Sequence, residues 1–313
     1  MTDPRRVAVL GAGLAGATAA RRLAQAGLEV VVLDKGRGVG GRMAIRRVGE
    51  GVSFDHGAQF IHPRGQAFLD QIADWRSRGI VAPWGGHGRF VGTPSMTAPV
   101  RDLLAGLDVR TGTTVTSLTR EAQGWRIVTG EGRVPELFSA VVIGFPSIQA
   151  KHLVEASGLE LTGVDTAAYA PCWSLLLATD GPAPFAQTDR RGIGGAIATI
   201  VRDDTRPGRP PGTRLTVHAG PDWSRRHLEE TKEVVAERLL GEAEACLGRP
   251  IVPTYAAAHR WRYALVETAL GRDCLYDPGL RIGACGDWCL GPRIEAAFDS
   301  GSALAARVLA DLG

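Results

Sequence analysis

A short apolar run, Val7–Leu10, leads into Gly11, Gly13 and Gly16, which stand in the spacing G-x-G-x-x-G. The residues from Leu14 to Ala26 have helical composition and stop at Gly27. A second apolar run, Val30–Leu33, then ends on Asp34. A strand, a glycine turn, a helix and a second strand in this order form the dinucleotide-binding βαβ unit. Gly11 permits the tight turn, Gly13 lets backbone approach a pyrophosphate, and Gly16 lets helix and strand pack closely. The helix start (Ala12, Leu14, Ala15) offers unpaired N–H groups and a partial positive charge to phosphate. Asp34, followed by Lys35, can accept hydrogen bonds from a ribose diol. The competing reading is a glycine-rich turn that merely packs a helix on a sheet.

The next eight residues narrow the choice of dinucleotide. Gly36 to Met43 (GRGVGGRM) is a second glycine-rich loop directly after the ribose-binding strand end. A cofactor lying extended across the fold needs a second backbone segment near its phosphates. Gly41, Arg42 and Met43 would supply it, with Arg42 adding a fixed charge. The alternative is a solvated basic loop. This G-G-R loop resembles the marker of the flavoprotein superfamily of monoamine oxidase and the phytoene desaturases, which implies bound FAD.

Composition restricts the class further. A chain of 313 residues can bury a large core, and a net charge of +3 argues for no strong polyanion partner, so no nucleic acid is expected. Cys172, Cys246, Cys274, Cys285 and Cys289 form no C-x-x-C pair and are odd in number. They read as reduced thiols and not as a disulfide frame, and no metal site is expected. Residues 1–6 carry no apolar signal core, and no run of 18 apolar residues occurs. A cytoplasmic protein without membrane contact is the expectation; the oligomeric state is not legible.

Further along, 44–48 reads as a strand followed by a turn at 49–51. His56-Gly57-Ala58-Gln59 sits where backbone can pass close to a flat ring, and both His56 and His62 also read as ordinary loop histidines. Residues 63–79 suggest a helix with Pro63 in its first turn, 84–94 a glycine-rich loop, and 95–107 a short helix capped by Ser95. Alternation over 108–132, including Val115, suggests an antiparallel meander, and 139–144 a buried strand. Strands are expected at 173–178, 196–201 and 215–218. The charged, proline-rich stretch 202–214 reads as a surface loop, and one helix is expected from Asp222 or Ser224 to Leu247. In Ala258 to Ala264 (AHRWRYA), strand alternation would set His259, Trp261 and Tyr263 on one face and Arg260 with Arg262 on the other. Such aromatics could sandwich a planar substrate and an arginine could hold its anionic group. Equally, the stretch could be an interdomain strand filling core. Residues 280–284 read as a strand before Cys285, Gly286, Asp287 and Trp288, and a last helix follows the G-P-R-I-E run.

The stretches Asp34–Met43, Phe54–Phe60 and Ala258–Ala264 together resemble the renalase family, particularly its bacterial branch. The resemblance implies an α/β fold: a Rossmann-type FAD-binding domain with a β-meander, joined to an α+β substrate domain. The expected division is 1–62, 100–148 and 270–313 against 63–99 and 149–269. It further implies that Val115 lies beside the adenine and that Gly286 and Asp287 meet the ribityl and phosphates. Arg293, Ile294 and Glu295 would open the last helix toward the ring, and FAD would be held without a covalent bond. Substrate-cavity candidates are His56, Gln59, His259, Trp261, Arg262, Tyr263 and Trp288. Only one dinucleotide motif is present, so electrons must enter from a small molecule bound at the ring and leave to an acceptor such as oxygen. The implied reaction is oxidation of 2- or 6-dihydro-NAD(P) isomers, which needs a flat slot and no general base. Oxidation of an amine or another small molecule is the alternative, and a flavoprotein without net redox turnover is a third possibility.

Overall fold

The computed structural model describes residues 6–49 and 51–312. Glu50, in the turn expected at 49–51, lies outside them. A six-stranded sheet carries the dinucleotide unit. Its spatial order is Leu275–Asp277, Ile282–Ala284, Ala140–Ile143, Arg6–Leu10, Glu29–Leu33 and Asp108–Arg110. The last five run parallel, and only Leu275–Asp277 is antiparallel to its neighbour. Val7–Leu10 and Ala140–Ile143 are wholly buried. Both faces of this sheet are covered, which explains why these strands read as continuous apolar runs without alternation.

One face holds the helices Leu14–Gln25 and Ile294–Leu312. They approach so closely that a Cβ on Gly301 would stand 2.2 Å from the Ala15 carbonyl oxygen. The other face is covered by the three-stranded meander Val115–Glu121, Gly124–Thr129 and Gly132–Phe138. There the Trp125 indole is buried and donates to the Leu280 carbonyl at 2.8 Å.

The second large sheet is antiparallel and five-stranded, in the order Asp189–Gly194, Ile197–Arg202, Thr213–Ala219, Ala168–Thr179 and Tyr255–Thr268. Alternation sorts its two faces. Leu175, Leu177, Leu215 and Val217 meet the helix Lys232–Leu247 through Val235, Leu239 and Ala243. Ser174, Thr216 and His218 take the opposite face.

Local expectations failed where capping and burial are set from afar. The helix over 63–79 is Gln66–Ser77, so Pro63 lies outside it; Phe68, Ile72 and Trp75 do form its buried face. The glycine-rich loop at 84–94 closes a small hairpin of Val81–Pro83 with Phe90–Gly92. The helix near 95–107 is Ala98–Leu104 with Thr97 at its N-cap, not Ser95. The single helix expected up to Leu247 is two, Pro221–Arg226 and Lys232–Leu247, and the Thr231 hydroxyl caps the second. Residues 202–214 join two strands of one sheet and expose Gly208, Pro211 and Gly212, but the loop is anchored inward: Asp203, Arg206 and Arg214 are buried. Among the described residues no helix is long and apolar enough to cross a membrane.

Candidate functional site

Between the two sheets lies a continuous cavity of about 1950 Å³. Sites for single drug-sized ligands span roughly 300–1,000 Å³, so this one has room for an extended dinucleotide and a second molecule. One end is walled by Asp34, Lys35 and Val115, the middle by Gly13, Gly41 and Gly286, and the other end by His56, Gln59, His218 and Trp261.

The two glycine loops are built onto each other. Gly40 N–H donates to the Ala12 carbonyl at 2.9 Å, and a Cβ on Gly41 would stand 3.3 Å from the Gly13 Cα. Gly16 is obligatory for packing, since its Cβ would fall 2.0 Å from the Gly11 oxygen. Gly13 differs: a Cβ there would meet nothing within 4 Å and would project into open space. The helix it opens has no side-chain cap and no acid in its first turn. Its free N–H groups therefore face the cavity at Leu14 and Ala15, as an anion site requires. Asp34 accepts from Ala12 N–H and Gly36 N–H, each at 2.6 Å, which fixes its carboxylate at the cavity wall.

At the far end an aromatic wall forms. The His56 ring lies 4.6 Å from His259 and 4.9 Å from Trp261, and the Trp261 indole donates to the His56 carbonyl at 3.0 Å. Tyr263 packs at 5.6 Å against Tyr169. Burial holds the imidazoles neutral: it lowers His56 to about 3, His218 to about 4 and His259 to about 4. His259 further lowers His56, the Arg206 charge lowers His218, and Lys232 lowers His259.

Not every expected residue serves the cavity directly. Arg42 lines it, but its charge is taken up by Asp287 in two hydrogen bonds of 2.5 and 2.8 Å. Ala12, Gly16 and Glu295 are not on the wall, whereas Met43, Gly57, Ala58, Arg293 and Ile294 are. Glu295 is buried and accepts from Arg64 N–H at 3.1 Å and Gly65 N–H at 2.5 Å. It thereby supplies the cap that the helix Gln66–Ser77 lacks. Arg260 and Arg262 also line the cavity, but Arg262 pairs with Glu229 at 2.7 Å and Arg260 donates to the Leu228 carbonyl at 2.7 Å, so both guanidiniums are already engaged. Trp288 touches the cavity yet is fully buried, with its indole nitrogen unpartnered among the described residues.

Gln59 is tied into a buried ionic network that sequence reading missed. Its amide nitrogen donates to the Asp55 and Gly57 carbonyls, and its oxygen accepts from Arg206 at 2.6 Å. Arg206 bridges Asp55 at 2.9 Å and Asp203 at 2.6 Å, and Arg209 also reaches Asp55. Burial pushes Asp203 up to about 6, while Arg206 and Arg209 hold Asp55 below its usual range against the same burial. These pairs clamp residues 55–59 onto the second sheet. His218 was missed too, although polar Thr216 and His218 alternating with apolar Leu215 and Val217 carried the signal.

The open cradle at Gly13, the uncapped helix start and Asp34 fit a dinucleotide, and the cavity continues past it to the aromatic wall. Comparison with known families agrees. Residues 9–88 match the NAD(P)-binding Rossmann-like domain model, and residues 78–309 match the model for flavin containing amine oxidoreductase. The fold superposes on the crystal structure of a protein from Exiguobacterium sp. 255-15 that bears the name protoporphyrinogen oxidase. The TM-score is 0.77 at 13% identity, covering 98% of this chain and 99% of that one, a likeness of fold alone. The chain belongs to the flavin containing amine oxidoreductase family and is an FAD-dependent oxidoreductase.

Proposed function

We propose that the protein is a renalase-like oxidase that takes isomeric 2- or 6-dihydro-NAD(P) to NAD(P)+ with oxygen as acceptor. The observation that carries this reading is the aromatic wall of His56, His259 and Trp261, whose imidazoles are weak bases inside a roomy cavity. A donor that must first lose a proton to the enzyme finds poor help there. A dihydropyridine isomer needs none, because loss of hydride leaves an aromatic pyridinium. The bound flavin would supply a two-electron acceptor for the hydride, with oxygen as final acceptor and hydrogen peroxide as its product.

The residues would divide the work by position. Gly13 and Gly41 would hold the pyrophosphate, with the free N–H groups at Leu14 and Ala15 facing it. Asp34 would hold the ribose, and Val115 would lie against the adenine. Gly286, Asp287, Arg293 and Ile294 would flank the ribityl chain and the ring. Trp261, oriented by the His56 carbonyl, would hold a flat substrate ring and exclude water. The renalase resemblance implies that FAD is held without a covalent bond. Acid precipitation should leave a yellow supernatant.

The test is anaerobic. The yellow protein is mixed with borohydride-reduced NAD, which contains the dihydro isomers, with pure 4-dihydro-NAD and a panel of amines as parallel donors. Rapid bleaching by the isomer mixture alone is expected. Bleaching by an amine would transfer the protein to the amine oxidases, and no bleaching by any donor would favour a flavoprotein without net turnover.

A further inference from the structure

We propose that one row of the five-stranded sheet, Arg191, Thr199 and His218, forms a subsite for a planar ligand that carries an anionic group at a distance from its ring. The register places these residues. Arg191 stands opposite Thr199, Thr199 opposite His218, His218 opposite Ser174, and Ser174 opposite His259. The five positions form a single line across all five strands, and residues so paired share a face. Ser174 is buried and spends its hydroxyl on the His56 carbonyl at 2.9 Å. The other four line the cavity.

The two ends of this line differ in chemistry. At the inner end His259 touches His56 and Trp261, a flat uncharged wall. His218 is fixed beside it, its Nε2 being 3.2 Å from the His56 carbonyl and 3.3 Å from the Gln59 amide nitrogen. At the outer end the Arg191 guanidinium lies 4.0 Å from the Phe60 ring centroid, with its side chain 38% exposed. Its acidic partner among the described residues, Asp189, also serves Arg89, so that carboxylate answers two guanidiniums and positive charge remains. Arg260 and Arg262 are already engaged by Glu229 and leave Arg191 as the cation on this row. Strands are spaced by about 4.8 Å, so Arg191 and His218 stand roughly 10 Å apart along the row. A ring seated against Trp261 and His218 could therefore place a phosphate or carboxylate at Arg191, with the Thr199 hydroxyl between them. The inference deepens the reading above and rests on it for the identity of the ring, not for the anion.

The test measures binding in the FAD-loaded protein, through the shift in flavin absorbance, with no turnover involved. The probes are nicotinamide, nicotinamide mononucleotide and pyrenebutyrate, the last a planar carboxylate unrelated to nucleotides. Wild-type protein should bind the mononucleotide more tightly than nicotinamide, with an advantage that shrinks as salt is added. Arg191→Gln should weaken the mononucleotide about five- to tenfold and leave nicotinamide unchanged. Thr199→Val, at a position without charge, should weaken both by less than this. Since Arg191 is exposed and Arg89 still holds Asp189, Arg191→Gln should melt with the wild type. If it binds the mononucleotide as the wild type does, or if neither anionic probe gains over nicotinamide, the subsite is overturned. Arg191-dependent binding of pyrenebutyrate without the mononucleotide would keep the subsite and sink the nicotinamide reading.

Discussion

Arg42 and Asp287 are joined by two hydrogen bonds, of 2.8 and 2.5 Å, although 245 positions separate them. The pair ties the second glycine loop to the start of the C-terminal segment, and Arg42 also donates to the Ala264 carbonyl at 3.1 Å. Three distant stretches of chain thus meet at one guanidinium beside the cavity. The Arg42 side chain is 29% exposed and that of Asp287 9% exposed, so loss of either partner leaves a poorly solvated charge. Asp287→Asn should lower stability by about 1–3 kcal/mol and reduce FAD retention through gel filtration. An unchanged melting curve together with full flavin content would remove this pair from the architecture of the site.

The glycines of the first turn make a sharper contrast. Gly16→Ala forces a Cβ to 2.0 Å from the Gly11 carbonyl oxygen, which neither backbone can yield without moving the strand. A loss of about 3 kcal/mol or more is expected, visible in the flavin-free protein. Gly13→Ala meets nothing within 4 Å and keeps an ordinary extended backbone. Its flavin-free form should stay within about 1 kcal/mol of wild type while FAD binding is lost. Equal destabilisation of both flavin-free variants would show that Gly13 is a packing glycine like Gly16.

The first βαβ unit was legible because its demands are local: a turn, a close approach and a carboxylate, all within residues 7–34. Strand alternation likewise separated His259 and Trp261 from Arg260 and Arg262, and the structure has the two sets in different company. What stayed hidden depends on partners far along the chain. Nothing near Arg206 in sequence reveals that Asp55 and Gln59, 151 and 147 positions away, accept hydrogen bonds from its guanidinium. Without those partners RDDTRPGRPPGTR has the composition of a solvated loop. The five-strand row ending at Arg191 was hidden for a related reason. Register depends on the bulges between Ala170 and Cys172 and between Ile197 and Thr199, which no local pattern announces.

Acid sensitivity follows from the histidines. His56, His218 and His259 titrate near 3, 4 and 4 in the fold, below an unfolded value near 6.5. In the window between, the unfolded chain binds protons that the folded one refuses. Their contribution is full above about pH 6.5 and is lost as pH falls toward the folded values. Asp203, raised to about 6 from 3.8, works oppositely: its folded form holds a proton that the unfolded form releases, so stability falls as pH rises through that window. Three sites outweigh one, and urea midpoints should drop between pH 7 and pH 5. A flat profile would mean that solvent reaches the imidazoles, and His218→Gln should flatten the slope.

Two tryptophans at the cavity should answer differently to the same substitution. Trp261 is half-buried and held by its indole N–H to the His56 carbonyl, so Trp261→Ala removes wall area without opening a core. The variant should keep FAD and fold, and its flavin should be reduced at least about tenfold more slowly by any donor that needs a flat slot. Trp261→Phe, which keeps a ring but loses the N–H, should fall between. Trp288 is wholly buried in the cluster behind the sheet, beside Leu275 and Ala284. Trp288→Ala should cost about 3–5 kcal/mol through the cavity it leaves, whatever it does to reduction. Stopped-flow reduction and thermal melts of the three variants separate the roles. If Trp261→Ala reduces at the wild-type rate, the aromatic wall does not hold the donor, and the slot must lie elsewhere in the cavity.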